Sequence, residues 1–287
     1  MKHYPKSTEF KGQKLPYPAK ESDVKPKPET EGDNYKPAGK LQDKVALITG
    51  ADSGIGRSVA IGFAKEGARV AIVYNKNTDD AEETKRLCEK HGGQCLIIQA
   101  DIRQKKECEQ AVKKAVDEYG SLNILVNNAA YQLAQKNFLD ITEEQVRRTF
   151  DTNIIAYIFM AQAALPHLKE GDSIINTGSI VGKTGIPILI DYSATKGAIH
   201  SFTKSLALNL GEKGIRVNCV IPGPIWTPNI PGTMPIEEVE NFGHEVAMKR
   251  PGQPEELPPA YILLASDDGS FMTGSFIEVT GGKLSSD

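Results

Sequence analysis

The chain has 287 residues, 39% of them hydrophobic and 25% charged, with a formal net charge of −3. That charge gives no electrostatic case for nucleic acid or acidic membranes, and the length allows one large or two small folded units. No run approaches the ~18 apolar residues a membrane helix needs, and Cys88, Cys95, Cys108 and Cys219 lack CxxC or metal-type spacing, as reduced thiols do.

Residues 1–40 differ from the rest. They hold six of the 17 prolines and nine lysines against six acids, with no isoleucine, tryptophan or cysteine. Such a stretch buries little apolar surface, which predicts an extended or disordered N-terminal extension. Phe10, Leu15, Tyr17 and Tyr35 could anchor it on the folded body or on a neighbouring subunit; the alternative is a solvated leader with no role. Its lysines and acids are interleaved and arginine is absent, which argues against a nucleic-acid arm. Met1 to Phe10 is polar, with no apolar h-region, so the expectation is no secretory signal and a cytoplasmic protein.

From Leu41 onward, strand-like and helix-like segments alternate. Val45–Thr49 is a short apolar run of the buried-strand kind. Residues 55–66 follow with helical spacing and stop at Gly67. Arg69–Tyr74 is the next strand, and Thr78–Lys90 a polar amphipathic helix with Thr78 as its expected cap. Residues 95–99, Ile124–Asn127, Ser173–Thr177, 216–221 and 275–279 read as further strands. Lys105–Tyr119, 143–168, 192–210 and 254–265 read as helices. Strands apolar throughout, alternating with helices, predict a parallel sheet covered on both faces.

The first strand-to-helix turn reads Gly50-Ala51-Asp52-Ser53-Gly54-Ile55-Gly56. Glycines there let backbone amides approach a pyrophosphate at a helix N-terminus. The second strand ends Tyr74-Asn75-Lys76, without the acid that selects NAD over NADP. Lys76 would favour a phosphate, whereas Ser53 brings no positive charge to the turn and leans towards NAD. Asp101, after the third strand, could bond an adenine amino group or cap the following helix.

Tyr192 and Lys196 are spaced i,i+4, which puts both on one helix face. A phenol titrates near pH ~10, and a neighbouring ammonium favours the phenolate, making a general acid/base. Together with the glycine turn, the pair describes hydride transfer to or from a carbonyl. Asn153, among Phe150, Ile154, Ile155 and Tyr157, reads by itself as a satisfied core amide or a helix kink. Ser179 lacks the G-x-S-x-G surroundings of a hydrolase nucleophile. Asp191 reads as a helix cap, and His91, His167, His200 and His244 have no metal-type spacing.

The glycine turn, Asn127-Asn128-Ala129, Asn153, Ser179, Tyr192-Ser-Ala-Thr-Lys196 and Pro222-Gly223-Pro224 with Thr227 resemble the classical short-chain dehydrogenase/reductases. The resemblance runs from about Leu41 to Gly282, with one departure: Ala130 stands where the family often has glycine. The Lys/Pro-rich leader is similar to that of a bacterial subgroup. The resemblance implies an α/β fold, a single Rossmann-type doubly wound parallel sheet of about seven strands with helices on both faces. It would occupy 41–287, with a substrate lid at about 228–250 hinged near Pro231-Gly232.

It also implies roles. Tyr192 would be the general acid/base, with its pKa lowered by Lys196, which would also bind the nicotinamide ribose. Ser179 would donate to the substrate carbonyl, and Asn153 would hold a relay water. The cofactor, NAD or NADP, would lie on Gly50, Asp52, Ser53, Gly54, Ile55, Gly56, Tyr74, Asn75, Asp101 and Ile102. Asn128 and Ala129 would line the adenosine ribose; Pro222, Gly223, Ile225 and Thr227 would hold the nicotinamide side. The expected substrate is a small carbonyl or alcohol compound, sugars included, walled by Tyr131, Ile180, Ile186, Pro187, Pro224 and Trp226. An isomerase or dehydratase on the same fold is the alternative, and a non-catalytic nucleotide sensor a third reading that the intact set opposes. Apolar residues on several faces of the two long helices, with the family's dimer faces, imply a homotetramer of D2 symmetry.

Overall fold

Seven apolar runs become seven strands. The computed structural model describes residues 2 and 4–283; Met1, His3 and 284–287, at the limits of the expected extension and domain, lie outside them. The strands are β1 (Val45–Thr49), β2 (Arg69–Tyr74), β3 (Gln94–Gln99), β4 (Ile124–Asn127), β5 (Ser173–Thr177), β6 (Arg216–Pro222) and β7 (Phe276–Val279). They pair in parallel in the order β3-β2-β1-β4-β5-β6-β7. The strand order reverses between β1 and β4, which opens a crevice at the carboxyl ends.

The helices are α1 (Gly54–Lys65), α2 (Thr78–Lys90), α3 (Lys105–Tyr119), α4 (Glu143–Phe150), α5 (Ala156–Ala164), α6 (Val181–Thr184), α7 (Ile190–Leu210), α8 (Asn229–Thr233), α9 (Ile236–Val239) and α10 (Pro258–Ala265). Side chains alternate along β1: Ala46 and Ile48 pack with α1 and α10, whereas Val45 and Leu47 pack with α3, α5 and α7. That period of two gives the sheet a core on each face, as a doubly wound sheet requires.

Three local expectations change. The helix expected over 143–168 is interrupted by a π turn at Asp151–Ile155, where Asn153 sits. The cap of α2 is Asn77, with Thr78 as its first helical residue. Asp191 lies inside α7, and its carboxylate accepts hydrogen bonds from Thr149 (2.7 Å) and Gln145 (3.2 Å) of α4.

Residues 4–40 run across this body as a strap with two short 3₁₀ turns, Ser7–Glu9 and Glu21–Asp23. No helix among the described residues is long and apolar enough to cross a membrane, and no group of three or more His, Cys, Asp or Glu could hold a metal.

Candidate active site

The glycine turn leaves β1 under tight packing. Gly50 has φ +62°, and a Cβ there would lie 2.7 Å from the Ala129 Cα, so both its dihedral and its neighbour exclude a side chain. Asn128 staples this turn. Its Nδ2 donates to the Thr49 and Gly50 carbonyls (3.0 Å each), and its Oδ1 accepts from Thr177 on β5 (3.3 Å). Gly56 lies behind the turn, where a Cβ would run into the Gly50 oxygen and the Asn128 amide.

A cavity of about 360 Å³ runs along the carboxyl ends of the strands. At one end it is lined by Gly50, Asp52, Ser53, Gly54, Ile55, Tyr74, Asn75, Asp101, Ile102, Asn128 and Ala129. At the other it is lined by Ser179, Tyr192, Lys196, Pro222, Gly223, Ile225 and Thr227. Of the residues expected to bind the cofactor or carry the chemistry, all but Gly56 and Asn153 line it. A nicotinamide dinucleotide fits this surface: the head of α1 offers helix-terminal amides to phosphates, and a Cβ at Gly50 would intrude on the turn beneath.

Asn153 is fully buried and committed to protein partners. It accepts from the Tyr131 amide (2.7 Å) and donates to the Tyr131 carbonyl (2.8 Å) and Thr195 (3.0 Å). Its amide therefore ties the π turn to the strand-end loop and to α7, so both the satisfied-core reading and the kink reading apply. Asp101 does not cap α3, whose N-cap is Gln104. Its carboxylate is gripped by the Arg103 guanidinium, with Nε at 2.8 and 3.1 Å.

At the reacting end, Ser179 hydrogen-bonds the Tyr192 phenol, and Lys196 donates to the Thr177 carbonyl at 2.8 Å. The Lys196 Nζ lies 5.4 Å from the Tyr192 ring centroid. Loss of hydration pushes the phenol up to about 12, opposed by the Ser179 bond, and lowers the ammonium to about 8. The expected lowering of Tyr192 by Lys196 is absent. Burial penalises the phenolate more than an ammonium turned to Thr177 favours it.

The substrate walls also need correcting. Ile180, Ile186 and Pro224 line the cavity, but Tyr131, Pro187 and Trp226 do not. Trp226 is fully buried: Phe10 of the strap packs edge-on against it at 4.6 Å, and its indole donates to the Pro26 carbonyl (2.7 Å). Leu189, Ile230, Met234 and Phe242 line the cavity instead. Sequence reading missed them, although Ile230, Met234 and Phe242 fall in the lid segment it marked.

A doubly wound parallel sheet with a glycine turn after its first strand, beside the point where the strand order reverses, is the architecture of a dinucleotide-dependent enzyme. The sequence profile of the family described as Enoyl-(Acyl carrier protein) reductase matches residues 50–283. The chain is 54% identical to the uncharacterized oxidoreductase YhdF of Bacillus subtilis, over 93% of this chain and 92% of that one. It is 49% identical to the glucose and ribitol dehydrogenase of Daucus carota, over 93% and 94% respectively. A short-chain dehydrogenase from Burkholderia cenocepacia J2315, solved in complex with NADP, superposes with a TM-score of 0.80 at 32% identity, covering 85% of this chain and 98% of that one. The chain belongs to the short-chain dehydrogenase/reductase family. It is an NAD(P)-dependent oxidoreductase that moves a hydride between nicotinamide and a ketone, aldehyde or secondary alcohol.

Proposed function

We propose that Ser179, Tyr192 and Lys196 carry the reaction and that the substrate is a polyol or sugar, or the corresponding carbonyl compound. The observation that carries the catalytic part is one cavity holding the glycine turn at one end and these three side chains at the other, and the substrate class follows the similarity to the glucose and ribitol dehydrogenase of Daucus carota. The bound cofactor supplies or takes the hydride. Ser179 donates to the substrate oxygen, placing a dipole where negative charge develops. A phenol raised to about 12 stays protonated at neutral pH, so Tyr192 begins carbonyl reduction as a proton donor. Lys196 supplies positive charge beneath the phenol and a donor towards the ribose. Asn153 shapes the turn that holds Thr195 and α7 in register.

The cofactor is NADP rather than the NAD that Ser53 suggested. No acid stands at Tyr74 or Asn75 to repel a 2′-phosphate, Lys76 lines the same end of the cavity, and the Burkholderia structure holds NADP. Residues 1–40 form the extension and 41–287 the catalytic domain, with 228–250 as the lid. A homotetramer accounts for the exposure of Leu208 on α7 and of Phe271 (86% and 103%); a monomer by light scattering would refute that assembly. The main test is Tyr192→Phe. Turnover should fall about 10²–10⁴-fold with NADP affinity unchanged. Retained turnover would remove Tyr192 from the chemistry.

A further inference from the structure

The strap touches the cavity at one place. Tyr17, Pro18 and Ala19 line the same end as Asn75, Asp101 and Ile102, although all three precede the stretch that matches the family. The Tyr17 ring sits edge-on to Tyr131 (centroids 5.4 Å apart), with the Arg148 guanidinium 5.5 Å from its centroid. Asn77, the cap of α2, donates to the Ala19 carbonyl (3.3 Å). Tyr17 and Arg148 together give the cavity a planar, cationic flank of the kind that stacks heteroaromatic rings.

Two residues further on, the strap enters the glycine turn itself. Glu21 is fully buried, and its carboxylate accepts from the Gly54 amide (2.7 Å) at the head of α1 while pairing with Arg57. Arg57 also pairs with Asp80 (3.2 Å) and donates to the Asp52 carbonyl (3.0 Å). The amide that Glu21 occupies belongs to the turn assigned to the pyrophosphate. Arg57 answers the carboxylate, so the turn is held without a bare anion beside a diphosphate site. On the other side of Tyr17, the strap is bonded to the lid: Leu15 donates to the Pro231 carbonyl (3.0 Å), and Lys14 to the Met234 carbonyl (3.0 Å).

We propose that residues 17–21 are part of the cofactor site, with Tyr17 as a roof over its adenosine end and Glu21 as a positioning residue for the glycine turn. The proposal rests on the nicotinamide reading of the cavity. The strap thereby retains cofactor, and release requires Tyr17 to move aside.

The test is stopped-flow release of NADPH, followed by its fluorescence, with equilibrium titration alongside. Tyr17→Ala removes a ring that is 41% exposed, so the fold should survive it. Its NADPH release should quicken about three- to tenfold, with Kd rising in step. Glu21→Gln keeps the shape and removes the charge that orients Gly54 and Arg57; its unfolding midpoint should fall because Arg57 loses a buried partner, and NADPH binding should weaken in protein still fully folded at the titration temperature. Tyr4→Phe removes a distant strap anchor, the bond to Glu255 (2.8 Å), and should leave release unchanged. Release and Kd equal to the parent in both Tyr17→Ala and Glu21→Gln would overturn the proposal while leaving the nicotinamide reading intact. Tighter binding in Tyr17→Ala would also overturn it, showing a strap that obstructs. A parent chain that binds neither NADPH nor NADH would overturn both readings.

Discussion

Two buried cations flank the cavity and are treated in opposite ways. Arg57, beneath the glycine turn, meets two carboxylates, Glu21 and Asp80, together with the Asp52 carbonyl and the Thr84 hydroxyl. Lys196, beneath the reacting end, is as deeply buried but is given one carbonyl, Thr177, and no carboxylate among the described residues. Full pairing offsets the burial of the first cation and holds the turn rigid. Sparse pairing leaves the second with a depressed pKa, so its proton is held loosely. The binding end is built for permanence, and the reacting end for change of charge.

Four measurements can break or sharpen that contrast. Arg57→Ala should destabilise the fold by about 3–5 kcal/mol, because Glu21 and Asp80 are left buried without their cation. Urea unfolding reads it, and a loss below about 1 kcal/mol would end the claim of permanence. Ser179→Ala belongs to the other end. Its kcat should fall about 10²–10³-fold while the unfolding midpoint stays put; a large drop in midpoint would erase the division of labour.

Lys196→Met tests the depressed ammonium through pH. The folded pKa of about 8 lies below the ordinary 10.5, so the unfolded chain binds the extra proton between those values. Stability therefore rises with pH across that window, by up to about 3 kcal/mol for cofactor-free protein. The Met variant should lose this rise when unfolding is compared at pH 7.5 and pH 9.5, and an identical pH slope would refute the assignment. The smallest effect is Lys20→Ala, which removes the exposed strap pair with Asp79 (2.8 Å). Exposed pairs contribute little, so the midpoint should not move measurably. A clear shift would mean the strap is held by its surface charges and not by Glu21.

The sheet was legible because each strand is a short apolar run and each crossover a separate helix. All seven strands fall within one residue of the segments read from pattern. The site was legible where function demands a residue type at a fixed spacing, as with Tyr192 and Lys196 or Gly50 and Gly54. What failed depended on partners distant in sequence. Trp226 reads as a pocket wall until Phe10, more than 200 residues away, is seen to cover it. Of the two readings of Asp101, the cap fails, because its bond to Arg103 is a matter of side-chain rotamer. The π turn at Asp151–Ile155 carries no proline or glycine to announce it; the Asn153 contacts to Tyr131 and Thr195 accompany it, and those are tertiary.

The strap also has a consequence for biosynthesis. Pro26 meets Trp226 across 200 residues, Phe10 bonds Asn241, and Gly32 bonds Glu255. A ribosome releases residues 10–32 long before their partners exist, and domains assemble from the N-terminus at the pace of translation. The strap must therefore leave its contacts at Phe10, Pro26 and Gly32 unmade until residues 226–255 exist, although Glu21 can meet Gly54 and Arg57 much earlier. Its prolines and alternating charges suit that wait, since a stretch poor in large apolar side chains can stay solvated without recruiting the wrong surface.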